Sequence, residues 1–370
     1  MRRRDLLLGA AAFSAPQPDL ILLSPAEAAR IKPSLEALRR KWISRGPWSV
    51  TFQRPGALSK AGPHDFFSEG PYWWPDPRNP KGPYIRRDGE VNPDRFTAND
   101  RDLSDMSEAV FALGAAAFYL NDKQAAARAW QVLDTWFLDP KTLMNPNLEF
   151  GQAIRGVTEG RGIGIIDTRP LIWCAAGITH LAAAFPDERD KPLRAWFGAY
   201  LEWLTTSKKG IDERDNGNNH STWWATQTAA YARLCGNRAA EEATYNLALK
   251  SFIPKQFKPD GSAPAEEART KSLGYSIMNL DGFALLARIA GRAALWDNLS
   301  RPIEYLAPFV LDPSKWTKPQ ISPIGRNRGY FLGLAGLHFQ RRGWIEAQRR
   351  LGVPSNTWGA LLASLLGSAA

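Results

Sequence analysis

Apolar residues recur at three- and four-residue spacing through most of this chain and seldom alternate, the signature of helices with one buried face. Leu35, Leu38 and Trp42 open the pattern in a helix predicted over residues 24–45, which Gly46-Pro47 ends. After Asn99 the same periodicity predicts helices at 103–121, 124–137, 168–185, 190–206, 219–235, 238–252, 266–291, 295–310, 324–341 and 358–366. Strand signals are sparse and short. Successive antiparallel helix hairpins of this size close into an incomplete (α/α) toroid, so the fold class expected is all-α, with a cleft at the concave end of the ring. No shift in composition divides the helical region, and residues 16–370 are read as one domain.

Residues 46–100 break the pattern. Their many prolines and glycines forbid regular helix, yet they hold Phe66, Phe67, Tyr72, Trp73, Trp74 and Tyr84. Tyr72-Trp73-Trp74-Pro75-Asp76-Pro77 reads either as a rigid aromatic wall beside the cleft, with Trp73 and Trp74 as binding residues, or as a plug sealing the helical core.

The first residues differ again. Arg2-Arg3-Arg4-Asp5 followed by Leu6-Leu7-Leu8 and an alanine-rich run reads as an export signal of twin-arginine type over residues 1–15, which places the protein in the periplasm. That run is too short to span a bilayer, and no other stretch reads as a membrane span.

The net charge of +10 favours an anionic partner, and fifteen tryptophans beside nine tyrosines indicate which kind. A flat apolar ring matches the CH face of a sugar, so the composition points to an acidic polysaccharide. There is no compact Lys/Arg run in the body of the chain and no nucleic-acid-binding motif, so nucleic acid is not expected. Cys174 and Cys235 are the only cysteines. Both sit in apolar helical contexts and read as separate buried thiols, and a structural zinc site lacks ligands.

Candidate chemistry concentrates in Asn216-Gly217-Asn218-Asn219-His220-Ser221-Thr222-Trp223-Trp224, where two amides and one of only four histidines open an apolar helix. Asn218 or Asn219 serves equally well as a simple N-cap, and the residues alone leave cap and catalyst open. Between helices, Phe150-Gly151-Gln152 through Arg155 and the glycines at 156–164 read as a tight loop that offers Gln152 and Arg155 to the cleft, or as a plain connection. A nucleotide loop is rejected, because no strand is expected before the glycines and no Lys-Ser/Thr pair follows them. Arg269 and Tyr275, six residues apart, would point about 120° apart on one ideal helix, flanking a ligand rather than touching. An Arg beside an anionic substrate clamps its carboxylate and lowers the pKa of a nearby phenol, and the stretch by itself reads equally as a surface Arg paired with Glu266 and a core Tyr.

Taken together, Tyr72 to Pro77, Tyr84 to Pro93 (YIRRDGEVNP), Phe150-Gly151-Gln152, Asn218-Asn219-His220 and Arg269 through Tyr275 resemble the alginate lyase superfamily of polysaccharide lyases. The Trp-Trp-Pro-Asp-Pro and Arg-Arg-Asp-Gly-Glu stretches are more similar to its family 38 branch than to the family 5 alginate lyases. The resemblance implies a helical toroid that cleaves a polyuronate of alginate, polymannuronate or glucuronan type by β-elimination, with no cofactor and no metal. It implies Asn219 and Arg269 as neutralisers of the substrate carboxylate, and Tyr275 and His220 as proton-transfer groups, with Trp73, Trp74, Gln152, Arg155 and Asn218 binding the chain. Two alternatives stand beside it. A glycoside hydrolase on a similar toroid would use a carboxylate pair from Asp212, Asp215, Glu266 and Glu267, and a non-catalytic binder of acidic polysaccharide would use only the aromatics and the charge.

Overall fold

Helix α1, Pro25–Trp42, starts where the Ser24 hydroxyl and the Glu27 carboxylate accept each other's backbone N–H groups. It belongs to a computed structural model that describes residues 23–368 apart from 326 and 328; the expected export signal at 1–15 lies outside the described residues. Residues 46–97 follow as an irregular layer carrying three short strands: β1 (Phe67–Glu69), β2 (Trp73–Trp74) and β3 (Ile85–Arg86), the last two paired antiparallel.

The helical body begins with α2 (Ala98–Leu120) and α3 (Lys123–Phe137), with Asp122 capping α3 through the amides of Gln124 and Ala125. Strand β4 (Phe150–Ala153) pairs in parallel with β1, which overturns the expectation that no strand precedes the glycine cluster. Then come α4 (Leu171–Ala184), α5 (Asp190–Thr206), α6 (Lys208–Arg214), α7 (Asn219–Leu234) and α8 (Arg238–Leu247). A wide turn at Ala248–Phe252 separates α8 from the short α9, Ile253–Gln256, because Pro254 has no N–H to continue the ladder. The remaining helices are α10 (Pro264–Glu267), α11 (Ser272–Ala290), α12 (Ala293–Leu311), α13 (Phe331–His338), α14 (Arg342–Leu351) and α15 (Thr357–Ser368).

An inner series α2, α4, α7, α11, α13 packs each helix on the next, while α3, α5, α8, α12 and α14 lie outside them and α15 returns against α1 and α2. This is the (α/α) toroid expected. The inner helices are buried on nearly all sides, as α7 illustrates from Ser221 to Ala232. Helices α2 and α4 cross so closely that a Cβ on Gly114 would stand 2.3 Å from the carbonyl oxygen of Gly177. Only glycine permits that approach in a close-packed core. Among the described residues α2 is long and apolar enough to cross a membrane, which corrects the sequence expectation; here it is enclosed by α1, α3 and α4. Cys174 is buried, Cys235 partly so, and both are free thiols.

Two expected helices are cut short, and the first of these breaks reaches the cleft through Arg269. The helix expected over 266–291 splits between α10 and α11 because the Thr270 amide and hydroxyl turn to Asp88 instead of the helix ladder. The one expected over 324–341 starts only at Phe331, where Asp281 of α11 accepts the amides of Tyr330 and Phe331. Burial raises the Asp281 carboxyl to about 7 despite those bonds and the nearby Arg169 guanidinium. Between about pH 4, where it titrates in an unfolded chain, and pH 7, the folded chain keeps a proton that the unfolded chain has released. Stability therefore falls as pH rises through that window. Asp281→Asn is expected to flatten the fall, leaving the variant more stable than the parent by on the order of a few kcal/mol above pH 7 and equal to it near pH 4. Urea unfolding across that range measures it, and parallel curves for the two proteins would refute the assignment.

Candidate active site

At the concave end of the ring a cavity of about 480 Å³ is lined by Pro71, Tyr72 and Trp73 from the irregular layer, by Asn218, Asn219 and His220 from the start of α7, and by Arg269, Tyr275 and Met278 from the α10–α11 region. Arg86, Gln152, Arg161, Asp167 and Arg169 also reach it. Residues distant in sequence meet here because the inner helices start at this end and the irregular layer folds across it.

Asn218 caps α7, its Oδ1 accepting the His220 amide at 2.9 Å while the residue also faces the cavity. His220 Nδ1 lies 2.9 Å from Oε1 of Glu213, a fully buried residue on α6. A carboxylate accepting Nδ1–H selects the tautomer in which Nε2 carries the lone pair, and Nε2 has no partner among the described residues. Burial pushes the Glu213 carboxyl up, and His220 opposes that shift. Glu213 falls between the helices expected at 190–206 and 219–235; the helix-capping Ser207, which accepts the Gly210 amide, was the signal for α6.

Asn219 is fully buried and bound to Glu266, whose carboxylate takes its backbone N–H at 2.6 Å and its side-chain Nδ2 at 3.0 and 2.8 Å. Its Oδ1 is left without a partner. Reversing the amide would turn Nδ2 toward the cavity and Oδ1 toward Glu266, which must then donate; burial raises the Glu266 carboxyl in the direction that favours its proton.

Arg269 and Tyr275 touch, contrary to the helical-wheel expectation, because Arg269 lies in the break before α11. Nη2 of Arg269 donates to the Tyr275 hydroxyl at 2.9 Å, and the guanidinium lies 4.0 Å from the ring centroid. The other side of that guanidinium grips Asp88 with Nε at 3.2 Å and Nη2 at 2.8 Å. Burial would raise the Asp88 carboxyl, but Arg269, Arg86 and Thr270 hold it well below the usual range. The Tyr275 hydroxyl also meets the Tyr72 hydroxyl at 2.6 Å. Burial and that contact raise the phenol above its ordinary value and outweigh Arg269, the reverse of the lowering expected.

The sequence-predicted binding residues divide. Trp73 lines the cavity, with Arg161 over its ring at 5.8 Å. Trp74 lies outside the lining, its Nε1 donating to the Glu90 carbonyl and its face covered by Arg87. Arg155 also stands apart, paired with Glu69 at 2.6 Å and packed on Tyr84. Gln152 borders the cavity but is only 7% exposed and holds φ 48°; its Nε2 binds Asp167 and its Oε1 accepts from Arg161.

Of the carboxylates considered for a hydrolase, none lines the cavity. Asp212 pairs with Lys208, Asp215 with Arg214, Glu267 with Lys318, and Glu266 with Asn219. Asp167 does line it, and both its oxygens are taken by Ser68 and Gln152. No cluster of His, Cys, Asp and Glu able to hold a metal occurs among the described residues.

Comparison with known proteins places the fold. The chain is similar to a crystal structure of an alginate lyase from Bacteroides ovatus at 29% identity, over 91% of this chain and 96% of that one, with a TM-score of 0.80. Alginate lyase A1-III from Sphingomonas species A1 shares the fold at 17% identity, covering 91% of each chain with a TM-score of 0.51. A variant of alginate lyase A1-III complexed with a tetrasaccharide does so at 15% identity, over 88% of this chain and 91% of that one, TM-score 0.54. No curated protein matches the sequence. The alginate lyase family profile matches residues 49–316, most of the chain, and the protein therefore belongs to the alginate lyase family and is a polysaccharide lyase.

Proposed function

We propose that Tyr275, His220, Arg269 and Asn219 carry out β-elimination on an alginate- or glucuronan-type polyuronate bound in this cavity. The observation that carries the reading is the Tyr275 hydroxyl, held by Arg269 on one side and Tyr72 on the other, in the same cavity as the unpartnered Nε2 of His220. The uronate carboxylate sits against Arg269 and Asn219, which disperse the charge that builds when C5 loses its proton. The electron pair from the C5–H bond forms the C4–C5 double bond, the C4–O4 bond breaks, and the departing O4 takes a proton. In mannuronate and glucuronate the C5 proton and O4 share a face, and Tyr275 serves as base and then acid.

A second division of labour has its own support: the raised Tyr275 phenol favours an acid protonated at rest, and the Glu213-held His220 offers a ready lone pair. That scheme, with His220 as base and Tyr275 as acid, fits guluronate, whose two groups lie on opposite faces. The resemblance of the stretches around Trp74 and Arg86-Arg87-Asp88-Gly89-Glu90 to the family 38 branch favours a glucuronate polymer. Export by residues 1–15 would bring the enzyme to such polymers outside the cytoplasm.

Ultraviolet absorbance during incubation with mannuronate blocks, guluronate blocks, glucuronan, pectate and hyaluronan tests this, because the new double bond is conjugated to the carboxylate. A rise on mannuronate or glucuronan supports the single-tyrosine scheme, and a rise on guluronate alone supports His220 as base. New reducing ends without absorbance would overturn elimination at this site.

A further inference from the structure

Four arginines line the cavity, and they differ in what balances them. Arg86 and Arg269 are ion-paired with Asp88. Arg161 and Arg169 make no ion pair among the described residues. Arg161 gives Nε to the Gln152 carbonyl at 2.9 Å and Nη2 to Gln152 Oε1 at 3.0 Å. Arg169 gives Nε to the Ile166 carbonyl at 3.0 Å and Nη1 to the Met278 sulfur at 3.2 Å, a weak acceptor. Nη1 of Arg161 and Nη2 of Arg169 have no partner among the described residues, nor are they among the sealed, unpartnered polar atoms. Asp167 contributes the largest opposing charge to both, but Ser68 and Gln152 take its oxygens.

Each guanidinium also lies over an indole, Arg161 5.8 Å from the Trp73 ring centroid and Arg169 5.1 Å from that of Trp223. Such cation–π contacts help hold a planar donor fork ready for a carboxylate. Burial lowers Arg161 to about 10 and lowers Arg169 as well, as expected of cations short of counter-charge. Both guanidinium groups line the same cavity as His220 and Tyr275, and Trp223 and Met278, which Arg169 touches, follow those two residues by about one turn on α7 and α11.

We propose that Arg161 and Arg169 form a second anion subsite, which binds the carboxylate of the uronate adjacent to the one undergoing elimination. The subsite selects polymers of contiguous uronates over those that alternate a uronate with a neutral sugar. This rests on the elimination reading above, and binding measured apart from turnover separates the two.

The experiment titrates the protein calorimetrically with a tetrauronate and with the same tetrasaccharide carrying a single carboxylate, the others reduced to alcohols. The parent is expected to bind the tetrauronate roughly 10- to 100-fold more tightly. Arg161→Met and Arg169→Met should each lose about tenfold or more on the tetrauronate while binding the reduced compound as the parent does. Equal binding of both compounds by the parent overturns the subsite, and this comparison needs no variant to fold. An equal loss on both compounds in the variants overturns it too, because a merely structural role weakens every ligand alike. If the elimination reading alone is mistaken, the parent still discriminates between the compounds and produces no absorbance.

Discussion

Tyr275→Phe is expected to lower kcat on the responsive polyuronate by about 10²- to 10⁴-fold, the usual contribution of a positioned proton-transfer group. The change removes one oxygen, which lies between Arg269 and Tyr72 at 2.9 and 2.6 Å, and leaves the ring in place under the guanidinium. Thermal unfolding should therefore move little. The KM should also hold within a few-fold, because the hydroxyl acts on the departing O4 rather than on the ground state. Steady-state absorbance kinetics decide the matter. Near-parental kcat in a folded Tyr275→Phe protein would remove Tyr275 from the mechanism, whichever residue serves as base.

Loss of Arg269 should be comparably damaging for a different reason. In the proposed mechanism the guanidinium neutralises the substrate carboxylate, and in the structure it also orients the Tyr275 hydroxyl and anchors Asp88. Arg269→Met is expected to lower kcat/KM by about 10²- to 10³-fold, chiefly through kcat, since the carboxylate needs compensation most as charge develops. Arg269→Lys should recover only a small part of this. A point-like ammonium cannot reach Asp88 and Tyr275 at once as the planar fork does. Asp88→Asn provides the control. It keeps the side-chain shape while removing the charge that holds Arg269, so it should cut activity less than Arg269→Met. Full activity in Arg269→Lys would show that only a nearby positive charge matters, and would overturn the bidentate role.

The helical periodicity located α5 and α7 almost to the residue, because both combine a continuous apolar stripe with ordinary end signals. It failed at the break between α10 and α11. There the partner that draws Thr270 out of the helix is Asp88, 182 residues away in the chain, and no local pattern records it. The short α6 was missed for another reason: at seven residues it carries too few apolar positions for the period to register. Among the candidate site residues, Asn218, Asn219, His220, Arg269, Tyr275, Trp73 and Gln152 gather at one cavity, whereas Trp74 and Arg155 do not. The aromatic loop was read as either a wall or a plug; Tyr72 and Trp73 line the cavity, and which of the two neighbouring tryptophans faces it is set by the β2–β3 pairing.

What the sequence determined by itself is the helical class, the break at residues 46–100, the preference for an anionic sugar polymer and the local Asn-Asn-His group, because each depends on residues close together in the chain or on composition alone. Only the tertiary structure decided the environments. It joined Tyr72 to Tyr275, placed Glu213 behind His220 and Glu266 behind Asn219, and left Arg161 and Arg169 without ion-pair partners among the described residues. Those environments fix protonation and charge balance, and they arise from desolvation and contacts across the ring that sequence spacing does not encode.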